Sequence, residues 1–564
     1  MAYDNRAMDQ NQLARRWAGL DLDWTSWRDV YQDCTDFVLP FSGRYFETDR
    51  NLGNKRYGNI YDETATYALN VLGAGLQAGM TSPARPWFRL QTADPELNQY
   101  HAVKLWLNEA TRRMLDLFQR SNAYGFLHQM YQELGVYGTA ATFLMDDFNT
   151  VLHGYPMTTG EYRISANYRG EVDTIMRRYQ KTVGQIVKEF GYDNCTPATK
   201  ALYDNHSLDS WITITHLVEP NADRDPSKRD AQNMAWKSWY QEDGAHDQSF
   251  LRKSGFKRFP AICPRWSTYG SDIYGNSPTM LALGSVKQLQ HEQLRKAEAI
   301  DYQTKPPMQA PTSMMNRDVN MLPGGITFVD QTGPQNAIRS AFDVNLNLQY
   351  LQADIVDVRQ RINRAYFVDM FLSMSDPATT RMTATEVAER HEEKLVVIGP
   401  TLERLHDEAL NPLVEYTFDR LMQLGLLPPP PQEMQGQELN VEFVSILAQA
   451  QRAVGVNATD RFVMGLGQVA AIKPAVLDKF NSDEWVDQYS DMLGVDPRII
   501  VGNEQVAIVR QQRAQAQAQQ AQLAATEQMA GAAQKLGSVN TAQPNGLSDL
   551  LQQFSGYTLP QVAQ

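Results

Sequence analysis

The sequence predicts an α+β fold, predominantly helical, and three observations carry that prediction. Two long proline-free stretches, Thr279 to Thr304 and Ala341 to Leu372, flank a segment dense in proline and glycine. Between Gly138 and about Pro264, short runs such as TAATFLM, EYRIS, EVDTIMRRY and SWITITHLVE are separated by turn signals such as NYRG, the pattern of an antiparallel meander. The rest of the second half reads as helix, down to an Ala/Gln-rich tract.

From the front, DETATYALNVLGAGLQ, Asp62 to Gln77, reads as a helix that GMTSPARPWFRL stops with Gly79, Pro83 and Pro86. Trp87, Phe88 and Leu90 follow as an apolar anchor. A second helix covers roughly Glu96 to Arg120, with Leu105, Leu107, Met114, Leu117 and Phe118 inward. Within the meander, Thr182 to Phe190 reads as one further helix.

The first rod opens at YGNSPTM. Ser277 is placed to cap the free N–H groups, and Pro278 takes the first helical position, where its missing donor costs nothing. At 1.5 Å per residue, the 26 residues from Thr279 to Thr304 make a rod of about 39 Å. Pro306, Pro307, Pro311, Pro323 and Pro334, with Gly324, Gly325 and Gly333, then forbid its continuation. ITFV at 326–329 is a candidate short strand after a Pro-Gly-Gly turn. A connection this long is functional or disordered.

The second rod opens with Ser340 and Asp343 in capping-box spacing, and Ala341 to Leu372 contains no proline or glycine, which allows about 48 Å of helix. Leu348, Leu351, Ile355, Val358, Ile362 and Ala365 are spaced 3, 4, 3, 4, 3, the a/d seam of a helix lying nearly parallel to its neighbours. Asp357 and Arg361 are one turn apart, a pair worth about 0.3 kcal/mol. SMSDPATTRM at 373–382 is polar with one cation, Arg381. Thr383 and Glu386 form a capping box for a long tract in which Pro400 and Pro412 predict bends or breaks. That tract ends at Gly425 and LLPPPP, a stiff linker. VEFVSILAQAQRAVG and the stretches to Asp496 read as shorter helices. In the tract from Gln511 to Gln534, 18 of 24 residues are Ala or Gln, giving an exposed or self-associating helix before a flexible tail from about Gly537.

Composition narrows the function. The 564 residues hold two to four domains by length, and 43% hydrophobic content is enough for a sizeable core. With 52 basic against 65 acidic residues the formal charge is −13, opposite to that of a protein that grips phosphates by counterion release. Cys34, Cys195 and Cys263 lie far apart and suggest neither zinc nor disulfides. The amino terminus lacks an apolar signal core, and no run of about 18 apolar residues exists, so a soluble, unexported chain with no membrane partner is expected. NCT, NHS and NAT at 194, 205 and 457 are then chance acceptor patterns.

Chemistry-bearing motifs are absent where they would be informative. There is no G-x-x-x-x-G-K-[ST] and no GxSxG. GAGLQAG at 73–79 has its last glycine one residue late for a dinucleotide loop and sits in a helical context. HEEKL and HEQLR place Leu395 and Arg295 where a zinc helix needs histidine. Asp146 with Asp147, and DLD at 21–23, come without partners and read as solvated edges. His391 and His406 read as surface or interhelical. No cofactor, metal or catalytic residue is predicted.

The order of parts resembles the portal, or head-to-tail connector, proteins of short-tailed bacteriophages. The resemblance covers most of the chain, and the residues that carry it best are GLQAGMTSPARPWFRL, YGNSPTMLALGSVKQLQ and RMTATEVAER. The resemblance implies a non-enzymatic homo-oligomeric ring of about twelve copies at one capsid vertex of the virion, made in the host bacterial cytoplasm. It implies a wing at 1–276, a first stem helix at 277–305, and a small α/β clip at 306–340 containing Pro306, Pro307, Pro311, Pro323 and Gly324. A second stem helix at 341–372 would carry the seam Leu348, Leu351, Ile355, Val358 and Ile362. A DNA tunnel loop at 373–382 would use Ser375, Asp376, Thr379, Thr380 and Arg381. A kinked wing helix at 383–431, crown helices at 432–503 and a barrel helix with tail at 504–564 complete the subunit. The implied partners are double-stranded DNA, the terminase large subunit, a tail or adaptor protein, major capsid and scaffolding proteins, and internal core or ejection proteins. The residues themselves agree in two respects: the seam offers a face to neighbouring copies, and a net-acidic lining lets DNA slide instead of holding it. A cytosolic multi-helix scaffold or adaptor without a channel shares the rods and the missing motifs, and a metal-dependent nuclease is the third alternative.

Overall fold

The computed structural model describes residues 5–45, 57–94, 97, 100–228, 230–243, 250–305, 308–309, 315, 339–340, 348–375, 398–434, 439–444, 462–470, 473–493, 499, 501 and 503–537. Two units are distinguished, one formed by residues 1–98 and 106–467 and the other by 99–105 and 468–564. The fold is mixed α+β and mostly helical, with several antiparallel sheets.

In the first unit α1 (Asn5–Phe37) and α2 (Thr64–Met80) lead to strand β1 (Phe88–Thr92). Further along are α3 (His101–Arg120), whose first turn belongs to the other unit, and α4 (Ala123–Tyr137). The meander resolves into two sheets. Strands β2 (Ala141–Asp147), β3 (Val151–Met157) and β9 (Ala261–Ile262) form a three-stranded sheet in the order β3-β2-β9. Strands β4 (Tyr162–Ala166), β5 (Val172–Thr182), β6 (Trp211–Pro220), β7 (Trp236–Glu242) and β8 (Arg252–Phe256) form a second sheet in sequence order. Between β5 and β6 lie α5 (Val183–Phe190) and α6 (Pro197–Asp204). Thr182 caps α5 through a full capping box with Gln185. Ile186, Phe190, Ile214, Tyr240 and Leu251 make the core under this sheet.

The long helix α1 was not delimited by its sequence pattern. It is held to the second sheet by cations as much as by apolar contacts. Arg163 lies 3.7 Å from the Trp24 ring centroid and 5.0 Å from that of Trp17, and its Nε donates to Asp21 at 2.8 Å. DLD at 21–23 is thus partly an anchor for a buried arginine and not a bare solvated edge.

The first rod is α7 (Pro278–Thr304), capped by the Ser277 hydroxyl as its sequence predicts. Strands β10 (Met308–Gln309) and β11 (Arg339–Ser340) pair antiparallel just beyond it. ITFV at 326–329 falls outside the described residues, as do 341–347. The second rod departs from expectation. Its described part is not one helix to Leu372 but α8 (Leu348–Ala365) and α9 (Val368–Ser375), separated by Phe367 at φ 57°. Absence of proline and glycine permits a helix without requiring one.

At Pro412, where the sequence predicts a bend or a break, the helix is interrupted by one wider turn and then continues. Residues 398–405 are helical, His406–Leu410 form a π-helical turn, and α10 (Asn411–Gln423) continues from it. The Asn411 N–H reaches back five residues to the His406 carbonyl, which makes room for the proline ring that an α-helical turn would clash with. Residues 383–397 fall outside the described residues.

The LLPPPP segment is docked, not a free linker. Trp106 Nε1 donates to the Pro428 carbonyl at 3.0 Å, and Arg113 donates to the Leu426 carbonyl. It delivers β12 (Leu439–Phe443) to β1, in the register Phe88↔Phe443 to Thr92↔Leu439. VEF at 441–443, read from sequence as helix, is therefore strand. The tertiary partner β1 overrides a local pattern that fits either.

In the second unit α11 (Ser482–Leu493) carries Trp485, stacked on Tyr489 with centroids 4.9 Å apart. The final helix α12 (Asn503–Gly537) is tied to α11 by two hydrogen bonds of 2.6 Å from Arg510 to the Asp483 carboxylate. No described helix is long and apolar enough to cross a membrane.

A buried acid in α4 sets one pH dependence. Glu133 accepts from the Ser42 hydroxyl, and burial raises its pKa to about 7, against the lowering effect of that bond. The folded carboxyl therefore holds its proton more tightly than the unfolded one. Stability from this group is full below about pH 4.5 and falls as pH rises toward 7. Glu133→Gln is expected to flatten that limb and to gain on the order of 2 kcal/mol at pH 8. Denaturant unfolding of both proteins at pH 5 and pH 8 measures it.

Candidate functional site at the root of the two rods

Two of the sequence stretches singled out above, GLQAGMTSPARPWFRL and YGNSPTMLALGSVKQLQ, pack against α4 at the root of the rods, within the first unit, whereas RMTATEVAER lies outside the described residues. YGNSPTM turns onto the C-terminal end of α4. Gly138 ends α4 in the left-handed conformation at φ 70°, its N–H donating to the Leu134 carbonyl. The Gly275 N–H donates to Thr139 Oγ1 at 2.8 Å, and the Ser277 hydroxyl donates to the Val136 carbonyl at 2.7 Å. Thr279 Oγ1 donates to the Gly135 carbonyl at 2.8 Å. Its one proton is thereby used, so the 2.7 Å contact with Tyr366 is the tyrosine hydroxyl donating to it. These bonds satisfy the carbonyls that a helix end leaves open. They also fix where α7 starts and tie it to the end of α8.

Glycine runs make this packing possible. Gly138 and Gly275 meet backbone to backbone: a Cβ on Gly138 would stand 2.4 Å from the Gly275 carbonyl oxygen. In α2, a Cβ on Gly75 would stand 2.2 Å from the ring of Phe371 in α9. GAGLQAG is thus a helix face flattened to seat another helix. Further along GLQAGMTSPARPWFRL, Thr81 Oγ1 shares a 3.0 Å hydrogen bond with Tyr131 OH, and the buried Trp87 stacks on Phe118 and Phe443.

A polar clasp joins both rods to the start of α2. The Thr64 N–H donates to Asp62 Oδ1 at 2.9 Å. Arg359 Nη2 and Nε from α8 donate to Oδ2 at 2.7 and 3.1 Å, and Gln293 Nε2 from α7 donates to it at 2.9 Å. Gln290 brackets the backbone: its Oε1 accepts from the N–H groups of Tyr61 and Asp62 at 2.6 and 2.8 Å, and its Nε2 donates to the Asp62 carbonyl at 2.8 Å. Burial alone would push the Asp62 carboxyl up. The hydrogen bonds from Thr64 and Arg359 outweigh it and hold the pKa below the ordinary value. The sequence reading placed Asp62 inside the helix; it stands before it.

The predicted site residues divide as follows. Ile355, Val358 and Ile362 are buried and Leu351 is half-buried, with α8 lying along α7 and α2. The described seam residues are thus packed within the chain. Leu348 opens α8 and Ser375 closes α9. Asp376, Thr379, Thr380 and Arg381 lie outside the described residues, as do Pro306, Pro307, Pro311, Pro323 and Gly324. Asp146 is paired with Arg420 at 2.6 Å and Asp147 caps the turn to Thr150. His406 stacks on Phe443 at 4.1 Å. Among the described residues no group of His, Cys, Asp and Glu could hold a metal ion.

Comparison with known proteins gives three findings. A family model described as bacteriophage head to tail connecting protein matches residues 10–501. The probable portal protein of Bordetella phage BPP-1 is 54% identical over 550 residues, covering 98% of this chain and 99% of that protein. The portal protein of Salmonella phage epsilon15 is 42% identical over 542 residues, covering 96% and 97%.

Proposed function

Because the chain belongs to the family of bacteriophage head-to-tail connecting proteins, we propose that it builds the ring through which the genome enters and leaves the capsid. The family and the relatives make it a portal protein, a structural and non-enzymatic part of the virion at the portal vertex. The single observation that carries the reading is the family match running unbroken through both rods and their root.

In this proposal about twelve copies close a ring. Residues 277–305 and 341–372 are the stem, 306–340 the clip that meets the terminase large subunit and then the tail or adaptor protein, and 373–382 the tunnel loop facing DNA. Residues 1–276 and 383–431 form the wing, against the major capsid and scaffolding proteins. Residues 432–503 and 504–564 form the crown and barrel, toward internal core or ejection proteins. The acidic balance supports a conduit: about twelve chains carry roughly 150 negative charges, which repel DNA and prevent it from sticking. Force for packaging then comes from a separate ATPase.

The purified protein is expected to run as a closed ring of roughly 0.8 MDa, about twelve chains of 63.9 kDa each, with a pore in end-on negative-stain images. A monomer or small oligomer without a pore would favour the scaffold alternative. Within the tunnel loop, Arg381→Ala is expected to lower the retention of DNA in filled heads; unchanged retention would assign Arg381 to a local pair with Asp376 or Glu386.

A further inference from the structure

A cleft of about 810 Å³ opens beside the Asp62 clasp, between the start of α2 and α8. Tyr61, Tyr67, Asn70, Arg359 and Asn363 line it, together with Glu63. Tyr61 and Tyr67 are each 55% exposed, the buried Asn363 Oδ1 has no hydrogen-bond partner, and the exposed Glu63 carboxylate has none among the described residues. A second feature lies on α7. Ala282, Val286 and Leu289 are its buried side, and Leu281 and His291 stand on the other. Leu281 is 82% exposed, more than any other large apolar side chain described on the two rods. One exposed leucine is ordinary on a protein surface; its position against the cleft is what carries the argument.

Contacts within the chain fix the relative heights. Thr279 touches Tyr366, and Gln293 shares the Asp62 carboxylate with Arg359, so α7 and α8 run antiparallel. Leu281 lies two residues beyond Thr279 and Asn363 three before Tyr366, which at 1.5 Å per residue leaves them within about 2 Å of one height. His291 sits between Gln290 and Gln293, both of which hold Asp62, and is therefore level with Glu63. A cyclic ring repeats every atom at the same height in the next copy, so a head-to-tail contact joins two different faces of the chain at equal height. We infer that Leu281 of one copy enters the cleft of the next, beside Tyr67 and Asn363, and that the His291 ring N–H donates to Glu63 there. The contact rests on the ring proposed above, with its rods along the axis, and adds the residues that close it. One register supplies both matches, leucine against aromatic rings and a base against an unpaired acid, and a second copy carries the two in the required order.

Paired cysteines test this on the full-length protein. Leu281→Cys combined with Tyr67→Cys is expected to give a ladder of covalent multimers on mild oxidation, read on a non-reducing gel, and either change alone is expected to give none. The native Cys34, Cys195 and Cys263 are buried. Leu281→Asp is expected to lower the ratio of ring to single chain at least tenfold while leaving the thermal midpoint of the single chain unchanged, because that side chain is mostly in solvent before assembly. Glu63→Lys is expected to weaken the ring, and His291→Glu in the same chain to restore it. Rings that form normally but give no ladder, or that tolerate Leu281→Asp, overturn the contact and leave the ring reading intact. So does a disulfide confined to single chains or to dimers. A protein that forms no ring under any condition overturns both.

Discussion

Gly138→Ala is expected to abolish most of the folded protein at 37 °C. Two costs add at that position. The backbone is left-handed, at φ 70°, where a Cβ is strained by about 1 kcal/mol or more. The new methyl would also stand 2.4 Å from the Gly275 carbonyl oxygen and 2.6 Å from the Asn276 carbonyl carbon. Both obstacles are main chain, so no rotamer change relieves them. Moving the Gly275 segment back pulls on the Ser277 and Thr279 hydrogen bonds to α4, and with them on the start of α7. A loss above about 4 kcal/mol follows, in the range where named backbone mechanisms dominate. Gly284→Ala is the control: it lies in the same rod, with nothing within 4 Å of an added Cβ and no left-handed φ. That change is expected to stabilise by about 0.5–1 kcal/mol through helix propensity. Soluble yield and thermal midpoint of the two variants separate a requirement for glycine at the root from a general sensitivity of the rod.

The contrast between these two glycines marks how far the sequence could be read. Local chemistry was legible: Ser277 and Pro278 at the start of α7, the helix near Thr182 to Phe190 and the short strands between turn signals all rest on residues within a few positions of one another. What depended on a distant partner was not. VEF is strand because β1 lies beside it, and LLPPPP is docked because Trp106 and Arg113 reach its carbonyls. The described residues of the seam lie along α7 and α2 of the same chain, and periodicity names an apolar face without naming what packs on it. The root was visible only as two stretches of sequence, GLQAGMTSPARPWFRL and YGNSPTMLALGSVKQLQ, that resemble one family. That Gly75 takes Phe371 and Gly138 takes Gly275 are facts of tertiary approach, and a glycine gives no sign in sequence of which neighbour it admits.

Asp62→Ala is expected to cost about 3 kcal/mol, far more than other acid–base contacts on the same rods, and burial is the reason. The Asp62 side chain is 4% exposed, and its removal strands the donors of Gln293 and Thr64 as well as the Arg359 guanidinium, each with a desolvation penalty. Arg359 itself is 45% exposed, so solvent screens part of its share and the figure stays at the lower end of the range for a broken buried pair. Arg361→Ala makes the comparison within α8: its partner Asp357 is 60% exposed, and the loss is expected to be under about 0.5 kcal/mol. A pH series distinguishes charge from packing. The folded-state pKa of Asp62 is depressed, so its contribution is present above the unfolded value of about 3.9 and is lost as pH falls through the folded one. Asp62→Asn, which keeps the shape, is therefore expected to be less stable than wild type at pH 7 and to converge with it in acid, below about pH 3. If the deficit of the asparagine variant were the same at pH 7 and in acid, the clasp would be holding the rods by shape alone, and the Arg359 contact would have no electrostatic part in it.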